Sequence, residues 1–154
     1  MTVTEFETRL RDRLKRWQPR YCDGPKGIAP TEITGLLGIL VDELPGIYVT
    51  FLRVCGADPG KLFSDYHWSP ESRKARNGEL QLVAEECDFE LPPRLFTFVD
   101  DIGDFFWCFQ LGEGDDPPVY RYDLDSIHRV GDHLSHFLLE WEQEEVPDYR
   151  LRER

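Results

Sequence analysis

Carboxylates are the side chains of this chain most able to do chemistry. Asp100, Asp101 and Asp104 crowd one glycine-containing corner, Glu113, Asp115 and Asp116 crowd a second, and Asp123 and Asp125 follow a short strand led by Pro118. Acids from neighbouring turns can act as a general acid/base pair or as oxygen ligands for a cation, provided the turns converge. There is no D-x-D-x-D-G loop, and Gly112-Glu113-Gly114-Asp115-Asp116 lacks the ligand alternation that calcium needs. None of these acids has an obvious catalytic partner nearby. Two further readings stand beside the cation site: solvated corners that keep the protein soluble, or a face that steers and holds a basic protein.

The other reactive side chains form no recognisable set. His133 and His136 are the one close histidine pair, with no third zinc ligand in sequence reach, and His67 and His128 are isolated. Cys22, Cys55, Cys87 and Cys108 are widely spaced with no C-x-x-C, which suits reduced thiols; the last three fall at expected core positions. Cys55 sits at an expected helix C-terminus, the wrong dipole end for a thiolate nucleophile. No phosphate-binding loop, dinucleotide fingerprint or nucleophile elbow is present. No catalytic residue, metal or cofactor is therefore expected.

Charge narrows the partner. Of the formal −12, residues 85–132 hold 13 Asp/Glu against 3 Lys/Arg, a net −10, whereas residues 1–84 hold 11 against 12. Such a surface repels nucleic acid, whose phosphates need net positive charge. No run of about 18 apolar residues is present to span a membrane, and Met1 to Glu7 carries no export signal, so a cytoplasmic location is expected. A length of 154 residues with 40% hydrophobic and 13% aromatic residues suits one globular domain over 1–146, with a frayed tail over 147–154.

The acids are placed by a β-meander. Phe96-Thr97-Phe98, Phe105 to Leu111 and Val119 to Asp123 read as strands joined by acidic turns. Phe105, Phe106, Trp107 and Phe109 cannot share one face, so the central strand is covered on both sides or leaves an aromatic row open. Ahead of it, Thr4 and Glu7 have capping-box spacing for a helix over 5–17, and Ile33, Leu36, Leu37 and Leu40 predict a helix opening at Pro30. Tyr48, Phe51, Leu52 and Cys55 predict a third helix with a left-handed stop at Gly56. Leu62 to Tyr66 suggests a short strand. A fourth helix begins at Ser69-Pro70-Glu71, where Asn77-Gly78 is a candidate break, and carries Leu80, Val83, Ala84 and Cys87 inward. A polar connection leads from the third strand to a last helix capped by Ser135, with Phe137, Leu138 and Trp141 facing in.

In that order the motifs resemble the SUKH superfamily, the Smi/Knr-like proteins. The quoted series is Ile33-x-x-Leu36-Leu37-Gly38, Leu44-Pro45-x-x-Tyr48-x-x-Phe51-Leu52, Cys55-Gly56, then Phe96-Thr97-Phe98, Asp101-Ile102-Gly103-Asp104, Pro118-Val119-Tyr120-Arg121-Tyr122-Asp123 and Ser135-His136-Phe137-Leu138-Leu139. The chain departs from the pattern at Gly46-Ile47, at Cys55-Gly56-Ala57 and in a helical insertion over about Ser69 to Cys87. The resemblance implies an α+β fold with N-terminal helices packed on a mainly antiparallel sheet and a C-terminal helix. It also implies a non-enzymatic role, either as an immunity protein that neutralises a bacterial toxin or as a regulatory interaction module. The expected binding residues are Asp100, Asp101, Asp104, Glu113, Asp115, Asp116, Asp123 and Asp125 for Lys/Arg of a basic toxin domain, with Tyr66, Trp68 and Tyr122 as exposed aromatic anchors.

Overall fold

A computed structural model of the chain describes residues 1–17, 26–58, 66–101 and 104–144, with side chains described through Lys15 in the first helix and Trp141 in the last. Cys22, the expected strand over 62–66 apart from Tyr66, and the tail over 147–154 lie outside these residues. The elements run α1 (Val3–Trp17), α2 (Pro30–Leu37), a 3-10 turn (Val41–Glu43), α3 (Gly46–Cys55), α4 (Pro70–Glu86), β1 (Leu95–Asp101), β2 (Phe105–Gln110), β3 (Val119–Tyr122), β4 (Ile127–Gly131) and α5 (Leu134–Glu144). The strands form one antiparallel sheet in the order β1-β2-β3-β4, which makes the fold α+β.

The central strand is covered on both faces. Phe106 and Cys108 pack with Leu80 and Ala84 of α4 and with Leu95 and Tyr122, while Trp107 and Phe109 join a larger core built from α1, α2, α3 and α5. Tyr48 of α3 sits at the centre of that core, with its ring 5.3–6.3 Å from those of Phe96, Phe98 and Phe109. Near-continuous apolar sequence in β2 thus follows from burial on both sides.

Several helix ends differ from expectation. The capping box is Thr2 with Glu5, not Thr4 with Glu7: the Glu5 N–H donates to Thr2 Oγ1 at 3.2 Å and the Thr2 N–H to Glu5 Oε2 at 2.9 Å. Both pairs have the required spacing, and Glu7 is engaged instead with Arg11 and with Arg53 of α3. Helix α2 stops at Leu37 because Gly38 adopts φ 70°, the left-handed cap, so Leu40 is exposed. Gly56 is right-handed, with φ −65°.

Helix α4 runs unbroken through Asn77-Gly78, because Asn77 is bonded on both sides. Its Nδ2 donates to the Arg73 carbonyl at 2.8 Å and to the Thr97 carbonyl at 3.2 Å, and its Oδ1 accepts the Thr97 N–H at 2.9 Å. One side chain therefore does for the outer edge of β1 what a ladder pair would do. Cys87 lies past the helix end and is exposed rather than in the core. The expected polar connection after β3 contains β4, which pairs with β3 through Tyr120 to Arg129 and Arg121 to His128.

Candidate functional site

The antiparallel order sends the acidic turns to opposite ends of the sheet. The β1–β2 turn (Asp101, Asp104) and the β3–β4 turn (Asp123, Asp125) share one end, and the β2–β3 connection (Glu113, Asp115, Asp116) lies at the other. Six residues of β2 separate them, roughly 17–20 Å at strand rise. The convergence of 100–104 with 115–116 that a shared cation or acid/base site would need does not occur. Among the described residues no group of His, Cys, Asp and Glu could hold a metal ion.

At the β2–β3 end two of the three acids are bound to helix starts. Asp115 caps α3: its Oδ1 accepts the Gly46 N–H at 3.2 Å and its carbonyl accepts the Ile47 N–H at 3.0 Å. A Cβ on Gly46 would lie 2.9 Å from that carboxylate oxygen and 3.0 Å from the Val3 side chain, so a larger residue there would push the capping carboxylate aside. Asp116 caps α5, accepting the Ser135 N–H at 2.8 Å and the Ser135 hydroxyl at 2.7 Å, while the Pro117 carbonyl accepts the Leu134 N–H at 2.8 Å. Asp116 also pairs with the α-ammonium of Met1 at 3.2 Å. The cap of α5 is thus Asp116, with Ser135 as its recipient inside the helix. Carboxylates here satisfy orphan N–H groups and meet the positive ends of two helix dipoles. Glu113 is exposed.

At the opposite end one acid is internal and four are at the surface. Asp100 is fully buried with Arg73, whose Nη2 donates to Asp100 Oδ1 at 2.7 Å and to the His67 carbonyl at 2.8 Å. His67 exchanges backbone hydrogen bonds with Asp100, and Arg76 Nη2 lies 2.6 Å from His67 Nδ1. The same His67 Nδ1 lies 3.4 Å from Asp100 Oδ2. Asp100 is consequently no surface acid; it closes a buried ion pair that ties α4 and residue 67 to β1.

Asp101 and Asp104 flank the turn, and burial, reinforced by Asp104 and Asp100, lifts the Asp101 carboxyl above its ordinary range. Asp123 is partly buried, accepting the Ser126 hydroxyl, and Asp125 is exposed. Phe105 lies between the two turns, 36% exposed, with the Arg121 guanidinium 5.3 Å from its ring centre. Leu124, 39% exposed, forms the tip of the β3–β4 turn.

The three aromatics separate. Tyr122 is fully buried, packed on Phe89 and Phe106 with its hydroxyl donating to the Leu124 carbonyl at 2.5 Å, and so is no exposed anchor. The alternation of β3 turns it onto the face that α4 covers. Tyr66 and Trp68 are half-buried and line a shallow cleft of about 330 Å³ with His67, Ser69, Ser72 and Arg76. Tyr66 stands edge-on to Trp107 and Trp141, at 5.5 and 5.1 Å.

Two groupings resemble reactive sites and are built otherwise. Ser126 Oγ lies 3.0 Å from His128 Nε2, but its single proton goes to Asp123, so the histidine must donate to it, the reverse of nucleophile activation. Cys55 is buried, its thiol donates to the Phe51 carbonyl at 3.5 Å, and burial pushes its pKa well above the ordinary thiol value. Sequence reasoning missed Arg73 and Leu124 and read Asn77 only as a helix break; a charged residue on the inward face of α4 and an apolar one at a turn tip were the available signals.

No curated protein matches the chain. A family model described as the SMI1 / KNR4 family (SUKH-1) matches residues 31–140. That span runs from α2 into α5 and includes all four strands, the buried Arg73–Asp100 pair and both acidic ends of the sheet. The chain belongs to the SMI1/KNR4 (SUKH-1) family.

Proposed function

We propose that this chain is a non-enzymatic immunity protein of the SUKH-1 family that binds a basic bacterial toxin domain. Its binding surface is the sheet end carrying Asp101, Asp104, Asp123 and Asp125, with Tyr66 and Trp68 beside it. The observation that carries the reading is the division of the acids. Asp115 and Asp116 at the β2–β3 end and Asp100 already have partners inside the fold, whereas this end keeps carboxylates at the surface around partly exposed Phe105 and Leu124. Acids around an apolar centre suit a basic protein: opposite charge speeds encounter, and apolar side chains that lose water slow dissociation. The fold acts as one domain in this account, and the toxin is blocked by covering its active or substrate-binding surface.

The test is capture from cells that carry the gene, with the purified chain as bait and washes at low and high salt, read by mass spectrometry. Recovery of one basic, toxin-like protein that is lost at high salt is the expected result. Changing Asp101, Asp104 and Asp125 together to Asn should then weaken its binding and flatten the salt dependence while leaving the melting temperature within about 2 °C. Unaltered affinity in that triple variant contradicts the proposal.

A further inference from the structure

We infer that Leu124, at the tip of the β3–β4 turn, is the apolar anchor by which this end of the sheet holds its basic protein partner. This rests on the protein-binding reading and names the side chain on which it depends.

The loop is short and closed, with the Asp123 N–H donating to the Ser126 carbonyl at 3.1 Å. Leu124 has φ 73°, in the left-handed region, while Asp125 does not share it. The Asp125 N–H donates to the Asp123 carbonyl at 2.9 Å, and that i→i+2 bond across a residue of positive φ is the rare, strained form of the γ-turn. A bulky L-residue is strained there, because its Cβ crowds the backbone.

The surroundings impose the conformation. The hydroxyl of buried Tyr122 donates to the Leu124 carbonyl at 2.5 Å, the Ser126 hydroxyl donates to Asp123, and His128 Nε2 lies 3.0 Å from Ser126 Oγ. A strained residue held in place from several sides is a feature that clusters at functional positions. The side chain itself remains 39% exposed.

Charge sets the occupant. Leu124 is flanked in sequence by Asp123 and Asp125, and Asp101, Asp104 and the partly exposed ring of Phe105 stand at the same sheet end. Arg121 is stacked on Phe105, and Arg129 pairs with Asp132 at 3.2 Å, so the nearest cations leave the rim acidic. The complementary surface is a basic protein that offers an apolar pocket between Lys or Arg side chains.

The experiment uses the whole chain and a phage-displayed library of random 12-residue peptides, panned at low salt. Enriched peptides are measured on wild type, on Leu124→Gly and on the Asp101→Asn/Asp104→Asn/Asp125→Asn triple variant. The expected result is Lys/Arg-containing peptides with an apolar residue whose affinity falls at least about tenfold on Leu124→Gly, while that variant melts no lower than wild type. Basic peptides that bind Leu124→Gly within about threefold of wild type but fail on the triple variant overturn the anchor and leave the acidic surface standing. Peptides indifferent to the triple variant, or a library that yields no basic sequence, overturn the surface and the anchor together. A Leu124→Gly variant that melts several degrees lower also overturns the anchor, because Leu124 would then be a packing residue.

Discussion

At the β2–β3 end of the sheet, Asp115 and Asp116 each reach a helix start and accept its backbone N–H groups. At the opposite end, Asp101, Asp104 and Asp125 stand at turns whose backbone bonds are already closed, and only Asp100 turns inward, to Arg73. The two regions have nearly the same composition: Asp, Glu, Gly and short spacing. What separates them is what lies within hydrogen-bond reach of each carboxylate. A carboxylate beside orphan N–H groups or a buried guanidinium is part of the fold, and one beside solvent is available to a partner. Net charge is therefore a poor guide to a binding surface until the internally used acids are subtracted.

The comparison yields graded expectations. The largest concerns Asp100→Ala, which strands the fully buried Arg73 guanidinium and should cost about 3–5 kcal/mol in urea unfolding. A loss below about 1 kcal/mol would mean that water reaches Arg73 and that Asp100 belongs with the surface acids. Asp116→Ala should cost about 1–2 kcal/mol, since it removes the side-chain cap of α5. Asp115→Ala should cost about 1 kcal/mol, because its carbonyl still holds Ile47.

The smallest effect is that of Asp101→Asn, within about 0.5 kcal/mol. Its sign depends on pH. With the folded pKa raised, the folded state holds the proton more tightly than the unfolded chain does. This contribution to stability is fully present below the ordinary carboxylate range and is lost as pH rises through the raised value. The stability of Asp101→Asn relative to wild type should therefore improve across that window and level off above it, in unfolding curves taken at stepped pH. A relative stability that falls instead would place Asp101 with the paired acids.

The sequence was most legible where periodicity and burial agree. Tyr48, Phe51 and Leu52 of α3 and the run Phe105 to Gln110 could be placed because apolar spacing is imposed by the core those residues enter. Strand β4 escaped because Ile127-His128-Arg129-Val130-Gly131 lies at a sheet edge, with His128 and Arg129 exposed, so alternation is weak. The caps escaped for another reason: Asp115 reaches Gly46 across 69 positions and Asp116 reaches Ser135 across 19, and no local spacing encodes such contacts. Asn77-Gly78 misled because its breaker signal is local, while the bonds from Asn77 to Thr97 that hold it in the helix are tertiary. For the candidate site, the acids and Tyr66 and Trp68 were readable as types, and their division between fold and surface was not.

Thermal unfolding of two double variants tests that division most directly. Asp115→Ala/Asp116→Ala should lower the melting temperature by about 5–10 °C, from two lost caps at about 2–4 °C per kcal/mol, whereas Asp101→Ala/Asp104→Ala should leave it within about 2 °C. Equal losses in the two variants, or a larger loss at Asp101 and Asp104, would contradict the assignment of one end of the sheet to structure and the other to recognition.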